Sequence, residues 1–174
     1  ISRTLADQPD AARQVLARLR VMHSLDDVFD DDPADAPALL ERVFDSELSP
    51  YGAARITKSG AKVPLTSRQA RSLAILVHEL TTNSAKYGCL GAFEGSLNVS
   101  WHAHGKDIVV DWRERGRNGN PTPVNSSGFG QRIMEAMLRD LDGSITEAAG
   151  PDHYTCRITF PQRHDGQRGP SVTD

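Results

Sequence analysis

Cysteine is scarce in this chain. Only Cys89 and Cys156 occur in 174 residues, and no CxxC pair is present. A disulfide framework and a cysteine-built zinc site are both set aside, and two scattered thiols read as reduced cysteines of a cytoplasmic protein. Long apolar runs are missing too: no stretch approaches the ~20 residues of a membrane-spanning helix, and no signal-peptide pattern opens the chain. There is no surplus of positive charge. Lys and Arg number 20 against 23 Asp and Glu, a net charge of -3, without the basic stripe that nucleic acid requires. GxxxxGK is absent, which excludes a P-loop, and no strand–GxGxxG–helix unit supports a dinucleotide site. What remains is ordinary for a soluble globular protein, with 38% apolar and 25% charged residues. The length suits one medium domain, or one domain with a small appendage. The first residue is Ile1 rather than Met, so the chain reads as a piece of a larger protein.

The segment "PDAARQVLARLRVMHSLDDVFDD" reads as an amphipathic helix with Val15, Leu19, Met22 and Phe29 on one face. "ISRTLADQ" has the look of the end of another helix, and Gln8-Pro9-Asp10 would be the turn of a helical hairpin. A single helix lying on the following domain is the simpler alternative. Asp30-Asp31-Asp32 with Pro33 reads as a solvated loop. "APALLERVFDSEL" is a short helix with Leu40, Phe44 and Leu48 on one side, and "AARITKSGAKVPLT" reads as a hairpin around Ser59-Gly60. "SRQARSLAILVHELTTNSAKYG" is a long helix, with Ser67 as N-cap and Gly88 as its stop. Two strands follow, turning at Gly105-Lys106. A polar stretch then leads to a helix opened by "GFG", with Ile133, Met137 and Leu141 on one face, and to a final strand pair. This order predicts an α+β fold: a two-layer α/β sandwich with a mixed, mostly antiparallel sheet and helices on one face. The expected division is a partial helical hairpin over 1–32, the main domain over 36–161, and a disordered tail over 162–174.

The long helix carries the first chemical signal. At ~100° per residue, Leu73, Leu76, Val77, Leu80, Ser84 and Tyr87 cluster on the face toward the sheet, whereas Glu79, Asn83 and Lys86 form a stripe beside it. His78 points away from both. "HE" opens like a zinc-protease helix, but that motif needs a second His where Thr82 stands, so the metalloprotease reading fails. A nucleotide site fits better. The Asn83 oxygen suits Mg²⁺, a carboxylate one turn away can hold a metal-bound water or polarise an attacking group, and Lys86 can neutralise phosphate charge. An exposed Glu–Lys helix edge explains the same stripe equally well.

"SSGFGQRI" places Gly128 and Gly130 where a helix begins, a natural phosphate cradle. A lone GxG is more often just a tight loop before a helix. In "DIVVDWRERG", Ile108, Val110, Trp112 and Glu114 share one strand face, with Gly116 just beyond. Glu114 could there accept from an amino group such as that of adenine, or be a solvated strand end. Trp112 reads as core.

In combination, "HELTTNSAKYG", "WRERG" and "GFGQRI" resemble the HWE family of bacterial sensor histidine kinases, within the ATPase superfamily shared by gyrase, a heat-shock chaperone and the MutL repair proteins. The resemblance covers residues 1 to about 161, and three motifs in order make it specific. It implies a Bergerat-type ATP-binding sandwich and an ATP-dependent protein-histidine kinase. By position, Asn83 is the Mg²⁺ ligand and Glu79 the acid that supports phosphoryl transfer. Lys86 and Tyr87 lie along the nucleotide. Glu114 reads the adenine amino group with Gly116 beside it. Gly128, Phe129 and Gly130 form the phosphate side, and residues 117–127 the lid. His78 carries the family signature without a derived role. The acceptor-bearing "HRVKN"-like motif does not occur, so the acceptor histidine is expected upstream of Ile1, and His23 matches a second-helix position instead. The implied partners are a response regulator receiver domain and a second copy through the N-terminal helices, with no nucleic acid and no membrane contact, in the cytoplasm. Gly116-Arg117-Asn118 stands where the family has Gly-Gly-Pro, and Thr82 and Ser84 where alanines are usual. A phosphotransfer or scaffold protein with a decayed ATP site, and an anti-sigma serine kinase of the same superfamily, are the competing functions.

Overall fold

A computed structural model describes residues 38–116 and 129–163. The expected hairpin of residues 1–32 with His23, the Asp30 loop, the lid residues 117–127 and Gly128 lie outside the described residues. Gln162 and Arg163, at the start of the polar tail, are bonded to the fold: the Gln162 N–H donates to the Lys106 carbonyl at 2.8 Å, and Arg163 pairs with Asp142.

The elements run β1 (Ala38–Leu39), α1 (Leu40–Leu48), β2 (Ile56–Gly60), β3 (Pro64–Leu65), α2 (Ser67–Tyr87), β4 (Ser96–His104), β5 (Asp107–Arg115), α3 (Phe129–Leu141), β6 (Ser144–Ala149) and β7 (His153–Pro161). Five strands form one sheet in the order β2-β4-β5-β7-β6, and β1 pairs with β3 in a small separate ladder. The pairs within β4–β7 are antiparallel, and β2 joins β4 in parallel. This is the expected α+β sandwich with a mixed sheet.

Its core forms because each strand alternates. Leu97, Val99 and Trp101 of β4, Ile108, Val110 and Trp112 of β5, and Cys156, Ile158 and Phe160 of β7 are all buried on the helix side. Leu73, Leu76, Val77 and Leu80 of α2 close over them, with Leu40, Phe44 and Leu48 of α1 on one flank and Leu138 and Leu141 of α3 on the other. The opposite sheet face is largely polar, although Val109 and Asp111 of the central strand β5 are buried on it. There Asp111 accepts from Arg157 Nε at 2.8 Å.

Three local expectations are corrected. The segment around Ser59-Gly60 is not a hairpin: β2 is an edge strand of the main sheet, and β3 leaves to pair with β1. The Trp101 indole explains the divergence. It occupies the space where a Cβ on Gly60 would stand, donates its N–H to the Ala61 carbonyl at 2.8 Å, and stacks on Phe44 at 5.4 Å. The chain is thereby led off the sheet edge, and Val63 and Leu65 bury under the helices. The N-cap of α2 is Thr66, not Ser67. Its hydroxyl accepts from the Gln69 N–H, while the Gln69 side chain accepts from the Thr66 N–H, a complete capping box. Finally, Tyr87 is not a core residue. It is 48% exposed, although its neighbours Ser84 and Gly88 are buried at the end of β5.

Candidate functional site

Helix α2 organises the site through the stripe that contains Glu79. Extended toward the N-terminus, the stripe includes Arg68 and Ser72, and these grip α3. Arg68 Nε donates to Asp140 at 2.8 Å, and the Ser72 hydroxyl donates to the other oxygen of Asp140. The Arg68 guanidinium and the Ser72 hydroxyl hold the Asp140 carboxyl below its ordinary range. At the other end of α3, a Cβ on Gly130 would stand 2.8 Å from Glu79 Oε2. The two helices are therefore antiparallel, and the N-terminus of α3 abuts Glu79. Glu79 is only 9% exposed, while Asn83 and Lys86, further along the same stripe, are exposed. The first half of the stripe is packing. The second half runs beyond the start of α3 and faces solvent.

This geometry brings two of the sequence motifs together. A carboxylate, an amide oxygen and an ammonium lie in a row, each one turn after the last, and the row is met at its buried end by a helix N-terminus. The first N–H groups of a helix have no intrahelical acceptors and carry partial positive charge, so they favour anions. Gly130 permits the contact, since any side chain there would press on Glu79. Phe129 opens α3.

Glu114 ends the inner face of β5. It is 3% exposed, and its hydrogen bonds include those in which Oε1 accepts from the Trp112 indole at 2.9 Å and Oε2 from the Cys89 N–H at 3.0 Å. It is thus a buried, fixed carboxylate rather than a solvated strand end. Trp112 is core, as expected, but also positions the acid. The W-x-E spacing was the available signal, since residues two apart share a strand face. The role of Cys89 had no such signal, because it depends on how the chain turns after α2. Gly88 does end α2, yet with extended backbone; a Cβ there would overlap Glu114 Oε2. Gly116 has φ 70° and donates its N–H to the Asp152 carbonyl at 2.9 Å, so the strand end needs a residue tolerant of the left-handed region.

Tyr154 faces Glu114 across the β5–β7 ladder and was not foreseen. Its hydroxyl donates to Glu147, and burial pushes the phenol above its ordinary range, so it stays a neutral hydroxyl. Burial likewise pushes the Cys89 thiol up to about 11, which makes it inert at neutral pH. His78 lies on the other flank of α2, with Nδ1 2.9 Å from Glu47 Oε2 of α1. Among the described residues, no cluster of three or more His, Cys, Asp or Glu forms a protein-only metal site.

No family model matches the chain. Among curated proteins it is 30% identical over 141 residues to a blue-light-activated histidine kinase of Erythrobacter litoralis, covering 75% of this chain and 38% of that protein. A blue-light-activated histidine kinase of Rhizobium johnstonii is 31% identical over 127 residues, or 70% of this chain and 36% of that protein. The chain thus spans less than two fifths of the length of these relatives. In fold it is similar to the histidine kinase domain of an Erythrobacter litoralis blue-light-activated kinase, with TM-score 0.62 and 17% identity over 86% of this chain and 74% of that domain. Sequence similarity and a shared sandwich together make this chain a relative of these histidine kinases, with the fold of their histidine kinase domain.

Proposed function

We propose that this chain is the Mg²⁺-ATP-binding part of a bacterial protein-histidine kinase of the HWE type. In this reading it directs the γ-phosphoryl group to a histidine borne elsewhere in the protein, for relay to an aspartate of a response regulator receiver domain. The observation that carries the proposal is the meeting of Glu79 with Gly130, which sets the acid of α2 against the N-terminus of α3, with the Asn83 amide one exposed turn beyond. The residues present fit the ligand. Asn83 is an exposed neutral oxygen donor of the kind Mg²⁺ accepts alongside waters and phosphates. Lys86 follows it at the correct spacing for phosphate charge.

Bound Mg²⁺-ATP supplies the phosphoryl group and its charge-neutralising metal. The protein's share is positioning. Glu79 would polarise the attacking group or hold a water of the metal. Asn83 would ligate the metal, and Lys86 would offset phosphate charge. Tyr87 would lie along the nucleotide, and the Gly128-Phe129-Gly130 segment would offer backbone N–H groups to the phosphates. Glu114 would accept from the adenine amino group beside Gly116. A carboxylate has about four acceptor positions, and its bonds from Trp112 and Cys89 keep it in one orientation. Dimerisation through residues 1–32 and a cytoplasmic location complete the reading. Among the described residues, no helix is long and apolar enough to cross a membrane.

Calorimetry of ATP binding with and without Mg²⁺ tests this. The wild-type chain is expected to bind ATP more tightly with Mg²⁺, and Asn83→Ala to lose that gain without losing thermal stability, because the residue is exposed. Failure of the wild type to bind ATP under either condition sinks the proposal. In the longer protein, acid-labile phosphate marks transfer to histidine, whereas acid-stable phosphoserine would point to the serine-kinase reading.

A further inference from the structure

Helix α2 is held against rotation from two sides. On one, Arg68 and Ser72 bind Asp140 of α3. On the other, His78 Nδ1 meets Glu47 Oε2 of α1 at 2.9 Å. Glu47 is buried among Val43, Phe44 and Leu48 in the last turn of α1. A buried carboxylate is costly without a partner, so the contact is directional and well defined. A hydrogen on Nδ1 satisfies it whether the imidazole is neutral or protonated, since both forms can carry one there.

Distance along the helix decides which anchor governs the site. At ~1.5 Å per residue, Asn83 lies about 16 Å beyond Ser72 but only about 7.5 Å beyond His78. Successive residues differ by ~100° in direction, so a side chain fixed at His78 also fixes where Glu79 points. A roll of ~20° moves a side-chain tip ~6 Å from the axis by about 2 Å, ten times the ~0.2 Å tolerance of a metal–ligand distance.

We infer that His78 and Glu47 are positioning residues that set the rotation of α2, and so aim Asn83 and Glu79 at the metal–phosphate end of the nucleotide. The inference rests on the proposed Mg²⁺-ATP site. It gives His78 a task despite its facing away from that site. It also explains why a polar contact interrupts the otherwise apolar packing of α1 on α2: apolar side chains resist separation but slide, while a short hydrogen bond to a buried acid resists rotation.

The test measures ATP affinity by calorimetry with and without Mg²⁺, at a temperature where each variant is folded by circular dichroism. Magnesium is expected to tighten ATP binding by the wild type by about tenfold or more. His78→Ala and Glu47→Ala are expected to keep the Mg²⁺-free affinity and lose most of the gain. His78→Asn, whose amide nitrogen sits near the position of Nδ1, restores it, and His78→Gln, whose nitrogen sits near that of Nε2, does not. Because Asn and Gln both keep a polar amide, that pair decides the matter should the alanine variants fail to fold. Equal magnesium gain in the wild type, His78→Asn and His78→Gln overturns the tether and leaves the nucleotide site intact. A wild type that binds no ATP overturns the site itself, and the inference with it.

Discussion

Gly88 is glycine for want of room. Its backbone is extended, a conformation any residue adopts, but a Cβ would overlap the Glu114 carboxylate and crowd Ser84. Gly88→Ala is therefore expected to cost about 1–3 kcal/mol, the usual range for overpacking, in urea unfolding. It should also disturb Glu114 and weaken ATP binding more than a surface substitution of equal cost. Ordinary ATP affinity in a folded Gly88→Ala protein would show that Glu114 does not read the base. Glu114 illustrates how far single residues can be read in advance. Its strand face followed from period-two alternation, but its burial did not. Whether the acid at a strand end meets water depends on what turns over it, here the Gly88-Cys89 backbone, and a one-dimensional pattern holds no such information.

At the scale of elements, the stripe on α2 was legible and its division was not. Helical spacing aligned Glu79, Asn83 and Lys86 beside the core face, and left open whether they were a site or a solvated edge. The antiparallel packing of α3 settles their environments. It covers the stripe as far as Glu79 and stops. Asp140 at the far end of α3 is part of that grip, and its depressed pKa makes the grip acid-sensitive. A carboxyl whose folded pKa lies below its unfolded value contributes stability that is fully present above about pH 4, the ordinary Asp value, and is lost as pH falls through the folded value. Asp140→Asn is expected to remove that part of the acid sensitivity. Its cost at pH 7 should be no more than ~1 kcal/mol, because Arg68 is exposed and the pair is screened by solvent. Thermal unfolding of both proteins from pH 2 to 7 measures it, and parallel curves would show that Asp140 is not the group responsible. The misread hairpin belongs to this scale as well. Residues 53–66 have two β-prone stretches around Ser59-Gly60, the local signature of a hairpin, yet their pairing partners are β4 and β1. Local propensity selects a strand but not its neighbour.

Over the whole molecule, one apolar layer joins all three described helices to the sheet. Leu73 sits at its centre, fully buried on the sheet side of α2. Leu73→Ala is expected to destabilise the protein by about 2–5 kcal/mol. In urea, the tryptophan signal of Trp101 and Trp112 in the sheet and the far-ultraviolet signal of the helices should shift together. Separate transitions would mean that the helical layer and the sheet are not one cooperative unit. The same layer explains why functional groups gather at one end. Antiparallel helices packed on one face of the sheet bring the end of one and the start of the next to the same rim, beside the strand ends there. Glu114 and Gly116, the end of α2 and the start of α3 all lie there.

The sequence by itself determined the sandwich, the positions of its three described α-helices, the alternation that sets the core face of the strands, and the kinship carried by three ordered motifs. Those are properties of residue type and spacing along the chain. Only the tertiary structure decided which ends meet: Gly130 against Glu79, the Cys89 backbone against Glu114, and Glu47 against His78. Each of these contacts joins residues 25 to 51 positions apart, and such pairings are set by how layers close on one another, which periodicity within a segment does not encode.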